Sequence, residues 1–292
     1  MFLCTVQVWC QDAPAGEEDR DWVIRTAPGK GLGVFALREF IRGERIMVEA
    51  PLDVPTPGMT EPQQRRSEAW TLLEPPGEIQ AKVDLNGLGS GPDDEAPAKM
   101  VCARISRCNH ACAANAYHWF EPSTKTKLLV ARRPIGKGEE VCIDYMGDDK
   151  EHWEPKFRSV MLLMKWRIKC PADCVCKREE VRMLHQRMCE MTDDILRLGS
   201  SGREALAERK AVMLLKMQED AQEAHVAIAR TFYDAFQVTV VRRATMGKAK
   251  KYIQSAYDIH LEVLGPHAVE TKKMKGFLDH PSSHHNYLAC EY

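Results

Sequence analysis

The stretch SRCNHACAAN, residues 106–115, brings an amide, an imidazole and a thiol together within four positions. Three interpretations of these residues are open. In the first, Asn109 is a turn residue, His110 a buried imidazole and Cys112 a small core residue, which is the commonest role of such residue types. In the second, the histidine and the cysteine form a nucleophile pair, although adjacency in sequence does not supply the spatial arrangement that this chemistry needs. The third interpretation is a zinc site that takes the thiol as a ligand.

A second group of thiols lies further along the chain. The segment KWRIKCPADCVCK places Cys170, Cys174 and Cys176 within seven residues. Structural zinc takes four tetrahedral ligands, so three clustered thiolates need one more, and Cys112 is the candidate. The spacing is not that of a standard zinc finger. If the four thiolates form a closed site, we expect it to be structural and to tie the two segments together.

Alternating glycines in APGKGLGVFA offer backbone groups that no side chain covers. Gly29, Gly31 and Gly33 do not match the spacing of a dinucleotide-binding fingerprint, because Val34 stands where the last glycine would be. The residues that follow favour a strand rather than a helix. The segment is therefore either a simple tight turn or a loop at which the bare backbone comes close to a ligand.

Composition limits the class of protein that must position these residues. A chain of 292 residues with 44% hydrophobic content can bury the core of one large or two ordinary domains. Its 41 basic and 42 acidic residues nearly cancel, so we expect no direct nucleic-acid partner and no attraction to an anionic membrane. The absence of a secretory leader and of a long apolar run predicts an intracellular protein, nuclear or cytoplasmic. In that compartment the 11 cysteines should be thiols or metal ligands.

The pattern changes along the chain and predicts five parts. Short β-favouring runs separated by turn residues (WVI, VFAL and IMV, then AYHWF, KLLVARRPI and EEVCIDYM) predict small twisted sheets. A connector rich in proline and glycine interrupts them. The predicted parts are a disordered lead-in at 1–21, a mostly β domain at 22–147 with a variable connector at 53–99, a cysteine segment at 148–180 and a helical region at 181–292.

The helical region begins with an apolar stripe whose members alternate at steps of three and four residues. The stripe consists of Val181, Leu184, Met188, Met191, Ile195 and Leu198, and the sequence GSSG should end that helix. The later segments have the spacing of stacked helical hairpins, as in tetratricopeptide repeats, but an ordinary helical domain is an equal alternative. Five basic residues there are interpreted as a solvated helix face rather than a binding patch, namely Arg242, Arg243, Lys248, Lys250 and Lys251.

Taken in order, GKGLGVFA, ISRCNHACAAN, ARRPIGKGEEVCIDYM and the downstream cysteines resemble the motifs of the SET-domain protein methyltransferases. The resemblance is closest to the SET and MYND branch, although a MYND finger is not recognisable, since the connector at 53–99 contains no cysteine or histidine. It implies an α+β fold: a mostly β SET fold with a pseudo-knot, a zinc-binding post-SET segment and an all-α, tetratricopeptide-like C-terminal region.

The resemblance also implies roles for individual residues. Tyr145 would be the catalytic tyrosine at the end of a narrow channel for the substrate lysine. Structural zinc would be held by Cys112, Cys170, Cys174 and Cys176. The cofactor S-adenosylmethionine would be bound by Lys30, Gly31, Leu32, Gly33, Asn109 and His110, and covered by Trp166 or Ile168.

The implied function is S-adenosylmethionine-dependent methylation of a lysine side chain in a histone or non-histone protein. Three departures from the family pattern are present. Ala111 and Ala114 are small replacements for a serine and a proline, whereas the more serious one is Ile168, which stands where the family generally has an aromatic residue that covers the adenine. These departures motivate an alternative function, an inactive SET-fold scaffold that binds a protein partner through its helical tail.

Overall fold

The computed structural model of the protein describes residues 21–52, 86–88, 100–146 and 155–291. Seven strands precede six α-helices in this part of the chain, so the α+β prediction is confirmed. The predicted lead-in and nearly all of the predicted connector lie outside the described residues.

The seven strands form two sheets. They are β1 (Trp22–Ala27), β2 (Gly31–Ala36), β3 (Arg45–Glu49), β4 (Asn109–His110), β5 (Ala116–Glu121), β6 (Thr126–Ala131) and β7 (Glu140–Ile143). The first sheet has the order β1-β2-β7-β4, in which β4 is parallel to β7 and the other neighbours are antiparallel. The second sheet is antiparallel with the order β3-β6-β5. Every β-favouring run of the sequence overlaps one of these strands, whereas the two-residue β4 was not predicted. The pseudo-knot stays a prediction.

The glycine segment is part turn and part strand. Residues 28–30 form the turn, and Gly31, Leu32 and Gly33 already pair with the end of β1. The expectation of a glycine loop is therefore wrong for these three residues, because their backbone groups join the sheet. Gly31 has a φ of +81°, a value that side chains disfavour, and so it lets the chain leave the turn.

Strand β6 is apolar on both faces because both faces are covered. Leu129 and Ala131 point into the core between the sheets, while Leu128 and Val130 point to the other side, as strand alternation requires. On that outer side they pack against helical residues that include Val263. The helical region is thus one of the layers that bury the second sheet.

Six α-helices follow the strands. They are α1 (Pro155–Trp166), α2 (Glu179–Ser200), α3 (Glu204–Asp220), α4 (His225–Thr239), α5 (Met246–Val263) and α6 (Val269–Asp279). The apolar stripe predicted for α2 faces the helical core, where Met188, Met191, Ile195 and Leu198 are buried and Leu184 packs beside them. That helix ends within the predicted GSSG stop. Whether the helices form tetratricopeptide repeats stays a prediction.

Helix α1 was not predicted, since it falls in the segment assigned only to cysteines. Its apolar residues do not form one buried stripe: Leu162 is buried, but Phe157, Val160 and Met164 are exposed. Because the apolar residues do not share one buried face, the sequence shows no helical periodicity from which α1 could be predicted.

The helical region is fixed to the sheets by a buried ion pair. Arg132 at the end of β6 contacts Glu223, between α3 and α4, at 2.8 Å. Arg42 donates to the backbone oxygen of Glu223 at 3.0 Å and contacts Glu219 at 2.7 Å.

Three of the five basic residues predicted to be a solvated face, Arg242, Arg243 and Lys248, pair with nearby acidic side chains. None of the helices described is long and apolar enough to cross a membrane.

Candidate active site and metal centre

Glu140 joins two of the segments that were predicted to bind a cofactor, those of Lys30 and Asn109. One oxygen of its carboxylate accepts a hydrogen bond from Asn109 Nδ2 at 2.7 Å, and the other contacts Lys30 Nζ at 2.8 Å. Asn109 Nδ2 also donates to the backbone oxygen of Leu32 at 3.0 Å. This contact is possible because β4 lies beside β7, with Asn109 opposite Cys142. The structure therefore brings Lys30, Leu32 and Asn109 together.

Gly33 lies at the closest approach within this group. A Cβ atom there would stand 2.8 Å from Glu140 Oε1 and 2.9 Å from Asn109 Nδ2, closer than side-chain packing allows. Only a glycine lets β2 come this near to the amide and the carboxylate. The absence of a side chain at this position has a steric cause in the structure.

Tyr145 lies two residues beyond β7 and is held from three sides. Its hydroxyl donates to the backbone oxygen of Cys108 at 2.8 Å, and its backbone N–H donates to His110 Nδ1 at 3.2 Å. The ring of Trp166 lies 5.3 Å from the Tyr145 ring, between centroids. Burial raises the pKa of Tyr145 well above its usual value, so the phenol stays protonated.

His110 connects Tyr145 to the thiols. Its Nδ1 accepts from the Tyr145 backbone, so the neutral ring carries its proton on Nε2, which lies 3.2 Å from Cys112 Sγ. Burial lowers the pKa of His110, which favours this neutral form. The histidine therefore acts as an oriented donor towards the sulfur.

The four predicted cysteine ligands meet in one cluster. Cys112, Cys170, Cys174 and Cys176 have their sulfur atoms within 4.8 Å of one another. Two pairs, Cys112 with Cys170 and Cys174 with Cys176, stand 3.6 Å and 3.3 Å apart. A tetrahedral zinc with bonds of about 2.3 Å requires sulfur separations of about 3.8 Å. The arrangement fits zinc if the sulfur separations change by up to about 1 Å.

The electrostatics of the cluster also suit a cation. A hydrogen bond with Cys112 and the charge of Arg158 lower the pKa of Cys176, whereas the same sulfur contact raises the pKa of Cys112. One thiol of such a pair loses its proton more easily while its neighbour keeps one, because two adjacent thiolates without a cation repel each other. A divalent cation would remove that competition, since the thiolate is the form that binds metal.

Three charged residues of this site were not predicted from the sequence. Glu140 stands in the motif GEEVCIDY but was given no role, and Asp144 stands beside the catalytic candidate. Arg158, on α1, is 1% exposed and contacts the Asp144 carboxylate at 3.1 Å. The motif was the one available signal for the two acids, and the sequence carries none for Arg158.

Trp166 and Ile168 end up in different surroundings. Trp166 is the last residue of α1 and lies against Tyr145. The backbone of Ile168 donates to Leu162 at 3.1 Å, which ties it to the end of the same helix. Of the two residues proposed to cover the cofactor, the tryptophan is the one placed beside the catalytic candidate.

Comparison with known proteins gives two matches. Residues 31–146 match the family model of the SET domain. Over 167 residues the chain is 30% identical to the histone-lysine N-methyltransferase set5 of Schizosaccharomyces pombe, a match that covers 52% of this chain and 49% of that relative. The chain thus spans about half the length of the curated relative it matches.

These matches show that residues 31–146 are similar to the SET domain and that about half of the chain is similar to a histone-lysine N-methyltransferase. The prediction drawn from its motifs is confirmed at that level. The matched region ends at Met146, directly after Tyr145. Assignment to the SET and MYND branch stays a prediction.

Proposed function

We propose that this protein is an S-adenosylmethionine-dependent protein-lysine N-methyltransferase that acts on a histone or non-histone protein. The observation that carries the proposal is the convergence of Lys30, Leu32 and Asn109 on Glu140, with Tyr145 anchored to the residue that follows Asn109. The relative from Schizosaccharomyces pombe, a histone-lysine N-methyltransferase by name, supports it.

The residues present fit the cofactor. Both amide protons of Asn109 are engaged, which leaves its Oδ1 to accept a hydrogen bond from the ammonium group of the cofactor. Gly31 and Gly33 keep the adjoining backbone clear of side chains, and Lys30 offers a cation for the carboxylate. His110 would contact the adenine through its main chain. Trp166 supplies an aromatic face at the same end of the site.

Bound S-adenosylmethionine supplies an electrophilic methyl group on a sulfonium. The task of the protein is to hold the substrate amine in line with that methyl group, and we assign this role to Tyr145. Its hydroxyl donates its proton to the Cys108 carbonyl, so its lone pairs can accept from the lysine amine and aim it. The rate then comes from positioning and electrostatics, without a covalent intermediate. The methylated lysine keeps its charge.

Zinc would be held by the four clustered cysteines and would have a structural role. The cluster joins Cys112, two residues after His110, to the segment that follows α1. Through this link the metal would keep Trp166 against Tyr145 while remaining outside the reaction.

Calorimetric titration of the zinc-loaded protein with S-adenosylmethionine tests the cofactor site. We expect saturable one-site binding, reduced at least about 30-fold in Asn109→Ala, because loss of two or three hydrogen bonds costs about 2 kcal/mol or more. Gly33→Ala should weaken binding similarly, since its new Cβ displaces Glu140 and Asn109. Gly247→Ala is the matched control, as nothing lies within 4 Å of a Cβ at that helical position.

The inactive scaffold is the outcome that this titration would reveal. A folded, zinc-loaded protein that binds no S-adenosylmethionine would contradict the enzyme proposal and favour the scaffold, with a protein partner on the helical tail. No observation within the described residues favours the scaffold at present.

A further inference from the structure

We propose that Arg158 is the cation that stabilises the four-cysteine centre from within the protein core, by donating a hydrogen bond to the Cys112 thiolate and placing its charge near Cys176. The inference rests on the zinc-binding part of the proposed function. It assigns a role towards the metal centre to a residue of α1 that neither the sequence motifs nor the similarity to known proteins singles out.

The guanidinium of Arg158 is buried between the Asp144 carboxylate and the thiols. The side chain of Arg158 is 2% exposed and stands 3.1 Å from Asp144 Oδ2, which is also 2% exposed. On its other side it hydrogen-bonds with Cys112, and its charge acts on Cys176. Two of the four thiols therefore face the same buried cation, and they come from the two segments that the metal would join.

A four-thiolate zinc centre is negatively charged and needs hydrogen-bond donors around it. Zinc bound by four thiolates carries a net charge of about −2, and burying such a charge without donors around it is costly. His110 directs one N–H at Cys112 from 3.2 Å. Arg158 adds a charged donor, and hydrogen bonds to ligating sulfurs from outside the coordination sphere typically change metal affinity by about 10- to 100-fold.

The ion pair with Asp144 is an alternative reason for the burial of Arg158, one that needs no metal. The carboxylate accepts a hydrogen bond from the Met146 backbone at 2.9 Å, so it has a partner besides the guanidinium. The Asp144 carboxylate binds one edge of the guanidinium and so fixes its direction. Because an arginine has donors on several edges, it can donate to the carboxylate and to a thiolate at the same time. Arg158 thus bridges Asp144 and the thiolates.

The experiment measures the rate at which zinc leaves the protein to an excess of a chromogenic chelator. We expect Arg158→Met to release zinc at least about tenfold faster than the wild type, and Arg158→Lys to fall between them, since a lysine keeps the charge but not the two-sided geometry. In the cobalt-substituted protein the sulfur-to-metal charge-transfer bands should shift in Arg158→Met, a change that a loss of packing elsewhere does not produce.

Two further variants separate this role from a general structural one. Arg132→Met breaks another buried arginine–carboxylate pair, 2.8 Å long, whose members do not belong to the cysteine cluster, and should lower thermal stability while zinc release stays at the wild-type rate. The double variant Arg158→Met/Asp144→Asn removes both charges of the pair. If Arg158 acts on the thiolates, zinc release remains fast in the double variant.

Three results would overturn the inference. They are wild-type zinc release in Arg158→Met, equal acceleration in Arg132→Met, and restoration of slow release by Asp144→Asn in the double variant. A wild-type chain that takes up no metal would overturn it together with the zinc part of the proposed function. By contrast, a chain with the expected zinc kinetics that transfers no methyl group would leave this inference standing and refute only the enzymatic proposal.

Discussion

Replacing Tyr145 by phenylalanine should lower the rate of the proposed methyl transfer by about 100-fold, while the affinity for S-adenosylmethionine should change by less than about threefold. The hydroxyl lies 2.8 Å from the Cys108 carbonyl, an anchor that holds its oxygen in one place for the substrate amine. The phenylalanine ring keeps the packing against Trp166 and His110, so the variant removes one oriented group and little else. Single-turnover kinetics with a lysine peptide give the rate of the chemical step.

Tyr257→Phe is the control for this variant, because Tyr257 lies in the helical region, where it packs against the core of α4 to α6. Its rate should match that of the wild type. An unchanged single-turnover rate in Tyr145→Phe would show that Tyr145 does not position the amine. A large loss of cofactor affinity in that variant would instead assign the residue to cofactor binding.

Removal of the proposed zinc should have the second large effect. Cys176→Ser should lose the bound zinc equivalent, because a structural zinc site requires all four ligands and its binding energy, about 10 kcal/mol or more, is coupled to folding. We expect the segment around Cys170 and Cys174 to become accessible to protease. The thermal midpoint should fall by at least about 5 °C, and the cofactor should bind more weakly, since Trp166 loses its tether.

Cys189→Ser provides the matched control, as this cysteine lies on α2 and is not a member of the cluster. It should retain the metal and the wild-type midpoint. Zinc content is measured by elemental analysis of the purified proteins. A Cys176→Ser protein that keeps one zinc equivalent would contradict the four-cysteine assignment.

The strands and the four-cysteine set could be predicted from the sequence because their signals are local or chemically restrictive. Alternating apolar runs are bounded by turn residues, and thiols are rare enough that three within seven positions stand out. The order of the motifs then placed Asn109 and Tyr145 in one domain. The structure brings Lys30 and Asn109 to the same Glu140 carboxylate and His110 to the backbone of Tyr145.

The rest could not be predicted because it depends on contacts between distant segments. Glu140 gains its role only when β2 and β4 both lie beside β7, which no local pattern encodes. Arg158 has the sequence signature of a solvated helix residue, yet Asp144 and Cys112 make its burial favourable. Helix α1 was not predicted because several of its apolar side chains are exposed and do not form one buried stripe.

The central claim is that this SET domain transfers a methyl group to lysine. The most direct measurement is mass spectrometry of histones and a lysine peptide library after incubation with the zinc-loaded protein and isotopically labelled S-adenosylmethionine. The account predicts labelled methyl groups on lysine that are lost in Asn109→Ala and strongly reduced in Tyr145→Phe. Labelling that persists unchanged in both variants, or a wild-type protein that binds the cofactor and labels no lysine, would contradict it.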